Sequence, residues 1–209
     1  MKALFLCLVL AALPAPGAHQ EILAPIALYT QFQQPPPPSV FNALQDELGS
    51  IMAPTGLHFT WLALRAARGN EDLVELVVIT FKGRCDTAGL NRHNSVPGPL
   101  GLTHISEGAI LPFAEVDCEA IRDFIQNQLL TMATEGREEA YGRAVGRVLA
   151  HELYHILANT TKHGSCGVGK SKYTVQELLS PQFQFDARES LALKTSKVHA
   201  ALEWAAFER

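Results

Sequence analysis

The stretch from Glu138 to Leu157 constrains this chain more than any other. Val145, Val148, Leu149, Leu153, Ile156 and Leu157 recur at helical spacing and make a wide apolar stripe, so the helix they predict belongs inside a fold. Set into that stripe are His151, Glu152 and His155. Two imidazoles and a carboxylate in apolar surroundings are costly without partners. The run His151-Glu152-Leu153-Tyr154-His155 is H-E-x-x-H, which puts both imidazoles on one face, a turn apart. One metal ion is the simplest partner for both.

Zinc takes neutral imidazole at roughly 2.0–2.1 Å, and a catalytic zinc keeps three protein ligands with the fourth position open to water. Glu152, next to the first histidine, is the expected general base for that water, and the chemistry implied is hydrolysis. The third ligand has two candidates. His163 comes first, because Asn159 tolerates the left-handed conformation that ends a helix and Thr160-Thr161-Lys162 let the chain turn back. Glu177, which lies 22 positions past His155 in a second helical stretch, is the rival. Cys166 suits the role less, since catalytic hydrolase sites favour nitrogen and oxygen ligands.

Lys2, the apolar run Ala3 to Leu13 and the small residues to Ala18 have the three regions of a secretory signal. Residues 1–18 are therefore expected to be removed, leaving 19–209 as a single exported domain in the secreted or periplasmic space. The apolar run is too short to span a bilayer, so no stable membrane insertion is expected. With 17 Lys and Arg against 21 Asp and Glu, there is no basic field for nucleic acid. A monomer acting on peptide or protein is the expectation. Export permits disulfides, and Cys85 with Cys118, at the ends of two predicted strands, is the favoured pair.

Along the chain, Ile26 to Phe32 reads as a strand, Pro35 to Pro38 as a stiff connector, and Val40 to Ile51 as a helix ending near Ala53-Pro54. Leu57 to Leu64 and Leu73 to Phe81 read as two more strands, and the turn-like Arg68-Gly69-Asn70 between them predicts neighbours in one sheet. Gly83 to Gly101 reads as a long loop. Leu102 to Ile105 and Ile110 to Val116 then predict an edge strand and its return. Asp117 is placed to cap a helix carrying Ile121, Phe124, Ile125 and Leu129, and Asp186 with Glu189 predicts a capping box for a tail helix.

On the H-E-x-x-H segment and this element order, the chain resembles the zincin superfamily of metallopeptidases, and within it the metzincins. Their motif is H-E-x-x-H-x-x-G-x-x-H; here Ala158 stands at the glycine, and His163 comes two residues later than the third histidine. No methionine follows His163, and Leu179-Ser180-Pro181 is the candidate for the turn that lies beneath the metal in that clan. The resemblance implies an α+β fold with a twisted mixed sheet, a backing helix, an active-site helix and a small C-terminal helical subdomain. It also implies a zinc-dependent endopeptidase that binds extended peptide along an edge strand. A catalytically silent zinc-binding domain and a metal hydrolase of a non-peptide amide are the alternatives.

Other residues carry weaker signals. His104 in the edge strand reads either as exposed surface or as an oxyanion contact, and Tyr173 either as packing or as a group that reaches the reacting centre. Tyr154 is expected to point away from the metal and Phe59 and Trp61 to pack on the sheet, while Arg84, Arg92 and His93 in the long loop could shape substrate access although nothing in their spacing requires it.

Overall fold

The computed structural model describes residues 25–69, 73–92 and 98–207. Segment 1–18 and His93 lie outside the described residues. The described chain is α+β. It runs β1 (Ile26–Gln34), α1 (Pro38–Met52), β2 (Phe59–Ala63), β3 (Leu76–Arg84), β4 (Gly101–Ser106), β5 (Ala109–Asp117), α2 (Cys118–Leu129), α3 (Thr134–Leu157), α4 (Val175–Leu179), α5 (Ala187–Lys194) and α6 (Lys197–Phe207). No helix among the described residues is long and apolar enough to cross a membrane.

The five strands form one mixed sheet in the order β2-β1-β3-β5-β4. All pairings are parallel except β4 with β5. The expectation that the second and third strands are neighbours is corrected, because β1 lies between them. It pairs Ile26 with Phe59 of β2 on one side and Ala27 with Leu76 of β3 on the other. Strands β2 and β3 both run parallel to β1, and a tight turn joins only antiparallel partners. The β2–β3 segment is therefore a crossover rather than a hairpin. An interior place for β1 also matches its composition, since Ile26 to Tyr29 are all buried.

β4 and β5 are the predicted edge strand and return, with β4 outermost. Cys85, just past β3, is disulfide-bonded to Cys118 at the start of α2, as expected. Cys166 is a free, exposed thiol. Asp117 caps α2, accepting the Ala120 N–H at 2.8 Å. Trp61 packs edge-on against Phe41 of α1 with centroids 5.5 Å apart.

The helix α3 begins at Thr134, four residues before the sequence pattern shows it, because its first turn carries charge rather than core residues. Further along, Tyr141, Ala144, Val145, Val148, Leu149 and Leu153 are all buried. α1 packs closely against it. A Cβ on Gly142 would lie 2.4 Å from the Val40 carbonyl oxygen, and one on Gly146 would lie 2.8 Å from that of Leu44. Only glycine allows this approach, which fixes the axial position of α3 and hence of the histidines on it.

Arg147, on the same helix, is fully buried. It donates to Glu47 at 2.6 Å and to the Glu177 carbonyl at 3.0 Å, with its guanidinium 4.9 Å over the Phe183 ring. Burial lowers its pKa, and the Glu47 carboxylate opposes that shift. The chain at Ser180 is held in the same way, since Arg143 donates to its carbonyl at 2.8 Å. Leu179-Ser180-Pro181 is thus a segment fastened to these two arginines.

Candidate metal centre

His151 and His155 lie on α3 with their Nε2 atoms 3.0 Å apart. Each outer nitrogen meets a main-chain carbonyl: His151 Nδ1 lies 2.8 Å from the Val168 oxygen, and His155 Nδ1 lies 2.7 Å from the Thr160 oxygen. A carbonyl only accepts, so in both rings the proton sits on Nδ1 and Nε2 offers a bare lone pair. Two lone pairs at that distance repel unless something positive lies between them. Tetrahedral zinc with imidazole bonds of 2.0–2.1 Å would separate two ligand nitrogens by roughly 3.3 Å, so the donor set fits a metal ion.

The chain brings His163 to the same place. Its ring stacks on that of His151 with centroids 5.3 Å apart, and meets His155 edge-on at 4.8 Å. One ligand atom from each of the three histidines lies within 4.8 Å of the others, so His151, His155 and His163 are close enough to hold a metal ion. His163 is exposed, whereas the other two are buried.

The route to His163 explains its late position. Asn159 has φ +47°, Thr160 N–H donates to the His155 carbonyl at 3.0 Å, and Asn159 N–H donates to that of Ile156 at 3.2 Å. These two bonds form a Schellman motif with asparagine at the left-handed position. The turn comes one residue after Ala158, and the next residues carry the chain back toward the helix. Beyond His163, Gly164 N–H donates to the Gly169 carbonyl at 2.7 Å and Val168 N–H to that of Gln184 at 3.2 Å. That return places the Val168 carbonyl behind His151.

Glu177 is engaged elsewhere. It forms the capping box of α4, accepting the Thr174 N–H at 2.8 Å, and it pairs with Lys170. These partners hold its carboxyl below the usual range.

Glu152 projects from α3 toward β4. Its Oε2 accepts the Thr103 hydroxyl at 2.7 Å, and its Oε1 lies against Gly101, where a Cβ would come within 2.5 Å. Burial pushes the Glu152 carboxyl up to about 7, with the Thr103 hydroxyl opposing. Burial likewise pulls His151 down to about 4, against the pull of the Val168 carbonyl, and lowers His155. Both imidazoles are therefore neutral near pH 7, the state a metal requires of them.

The site opens into a cleft of about 680 Å³. Leu100, Leu102, Ile105, Ile110, Phe124 and Val148 are among its apolar lining, and Lys170, Ser171 and Lys172 are among its polar lining. Tyr173 stands behind His151, its hydroxyl 2.9 Å from Nδ1 and donating to the Val168 carbonyl. It is on the outer side of the ring, away from Nε2. His104 does not line the cleft; it lies 3.5 Å from Glu115, which also pairs with Lys82. Tyr154 is buried against Phe185.

The Val168 and Thr160 carbonyls, the Thr103 hydroxyl and the close approach at Gly101 are not encoded in the motif. The first two are main-chain groups, which no side chain advertises. Gly101 carried the one available signal, because a glycine in a strand often marks close approach of another group. Comparison with known proteins found no protein family, no curated protein and no solved structure that the chain matches.

Proposed function

We propose that this chain is an exported zinc-dependent endopeptidase of zincin type, with His151, His155 and His163 as zinc ligands and Glu152 as general base. The observation that carries the reading is the pair of bare Nε2 atoms 3.0 Å apart, joined by a third imidazole and flanked by a carboxylate that opens on the same cleft. Three imidazole nitrogens with a nearby carboxylate are the donor set of hydrolytic zinc.

When bound, the ion would supply Lewis acidity, lowering the pKa of a water and polarising the scissile carbonyl. Glu152 would accept the water's proton on Oε1 and deliver it to the departing amine, while Oε2 keeps its bond to Thr103. An extended peptide fits the cleft beside β4, because that strand ends the sheet and leaves one edge of its backbone unpaired by any described strand.

The test is cleavage of an unstructured protein by zinc-loaded enzyme, repeated with Glu152→Ala. The expected result is a loss of at least about 100-fold with zinc content unchanged. Undiminished cleavage in Glu152→Ala would overturn the base assignment. A wild type that holds zinc yet cleaves neither peptide nor protein would overturn the peptidase reading.

A further inference from the structure

We propose that the edge strand β4 acts as a clamp on the general base, with Thr103 and Gly101 as positioning residues that fix the Glu152 carboxylate. The inference rests on the peptidase reading for its catalytic consequence and on geometry for the clamp itself.

Strand alternation puts Gly101 and Thr103 on one face of β4. Their register partners on β5 are Val116 and Ala114, both buried, so this face is turned toward α3. Each of the two residues meets a different oxygen of the same carboxylate. Thr103 Oγ1 is 2.7 Å from Oε2 and 3.2 Å from the Glu152 carbonyl. A hydroxyl has one proton, and the shorter contact to the more basic oxygen takes it.

Gly101 acts by what it lacks. A Cβ there would sit 2.5 Å from Oε1, 2.9 Å from Cγ and 3.0 Å from Cδ of Glu152. Any side chain would thus occupy the volume that the carboxylate now fills. One residue bonds Oε2 and the other leaves room for Oε1, which accepts no hydrogen bond from the described residues. A base must be held within a fraction of an ångström of the proton it takes, and misplacement by about 1 Å can cost on the order of 100-fold.

The experiment compares zinc-loaded wild type with T103V, T103S and G101A, measuring zinc content, kcat and KM, and determining a crystal structure of each. The expected result is kcat lower by about 10-fold in T103V and about 100-fold in G101A, with zinc content unchanged and KM within about twofold. T103S restores the hydroxyl and should restore kcat. The Glu152 carboxylate should be displaced in T103V and G101A and in place in T103S.

Equal kcat in T103V and T103S, or a carboxylate unmoved in T103V, would overturn the clamp. T103V fills no new space, so it decides the matter even if G101A fails to fold. A wild type without hydrolysis would count against the peptidase reading alone, and the carboxylate positions would then decide the clamp.

Discussion

His151 and His155 are each tied at the outer nitrogen to a carbonyl that lies past the end of their own helix, so the loop that follows α3 fixes both tautomers. Tyr173 shares the Val168 carbonyl with His151. Removing its hydroxyl leaves the His151 ring freer to turn, and outer-shell changes of this kind typically cost about 10- to 100-fold in metal affinity. Tyr173→Phe should therefore weaken zinc binding by about tenfold in a competition titration while stoichiometry stays at one. For the proposed ligand set, His163→Ala should lose stoichiometric zinc and Glu177→Ala should keep it.

The titration of the metal-free protein follows from the same residues. Glu152 has a folded pKa of about 7, above its ordinary 4.5. Its contribution to stability is thus fully present below pH 4.5 and lost as pH rises through 7. His151, at about 4 against an ordinary 6.5, behaves oppositely, contributing stability above pH 6.5 that is lost as pH falls through 4. The two trends offset each other across one window. In Glu152→Gln only the histidine trend remains, so that metal-free variant should gain on the wild type by on the order of 3 kcal/mol between pH 4.5 and 7. Urea unfolding at several pH values reads this, and parallel curves would contradict it. At this scale the histidines and Glu152 were legible because motif spacing encodes them. Thr160 and Val168 were not, because their contribution is a main-chain carbonyl that any residue supplies.

Among the elements, α3 does most to place the site, and its C-terminal end and its crossing with α1 are set by different means. At the C-terminal end Asn159 adopts the left-handed conformation. Glycine there relieves strain, whereas a β-branched residue adds it. Asn159→Gly should be neutral to mildly stabilising, and Asn159→Val should cost about 1–2 kcal/mol and also weaken zinc binding, because the turn delivers His163. At the α1 crossing, Gly146→Val must push α1 away and should destabilise by about 1–3 kcal/mol in chemical denaturation. Most elements were readable from periodicity and capping signals. Asp117 and the Asp186–Glu189 capping box stand where the sequence puts them. The β2–β3 adjacency was misread because the intervening Gly-Asn looks like a hairpin turn, while the pairing is decided by which strand has two apolar faces to bury. That is a property of the whole sheet.

For the molecule as a whole, the sheet and the helices are joined by a few covalent and buried polar ties. The Cys85–Cys118 disulfide joins the end of β3 to the start of α2, and Tyr141 of α3 donates to the Cys118 carbonyl at 2.7 Å. Cys118→Ser should lower stability by about 2–4 kcal/mol. Arg147 ties α1, α3 and the segment after α4 together, and Arg147→Met, which removes the shorter of the two ion pairs of Glu47 and leaves it the pair with Arg143 at 3.3 Å, should cost about 3 kcal/mol. All these ties converge on one arrangement, in which α3, the loop after it and β4 meet at the cleft. The claim on which the functional account turns is that three histidines from this arrangement hold one zinc ion. Anomalous diffraction at the zinc edge from crystals grown with zinc tests it most directly. A single ion bonded at about 2.0–2.1 Å to the Nε2 atoms of His151 and His155 and to a nitrogen of His163 is expected. A crystal with no ion between these rings, or with an ion bound by Glu177 in place of His163, would contradict it.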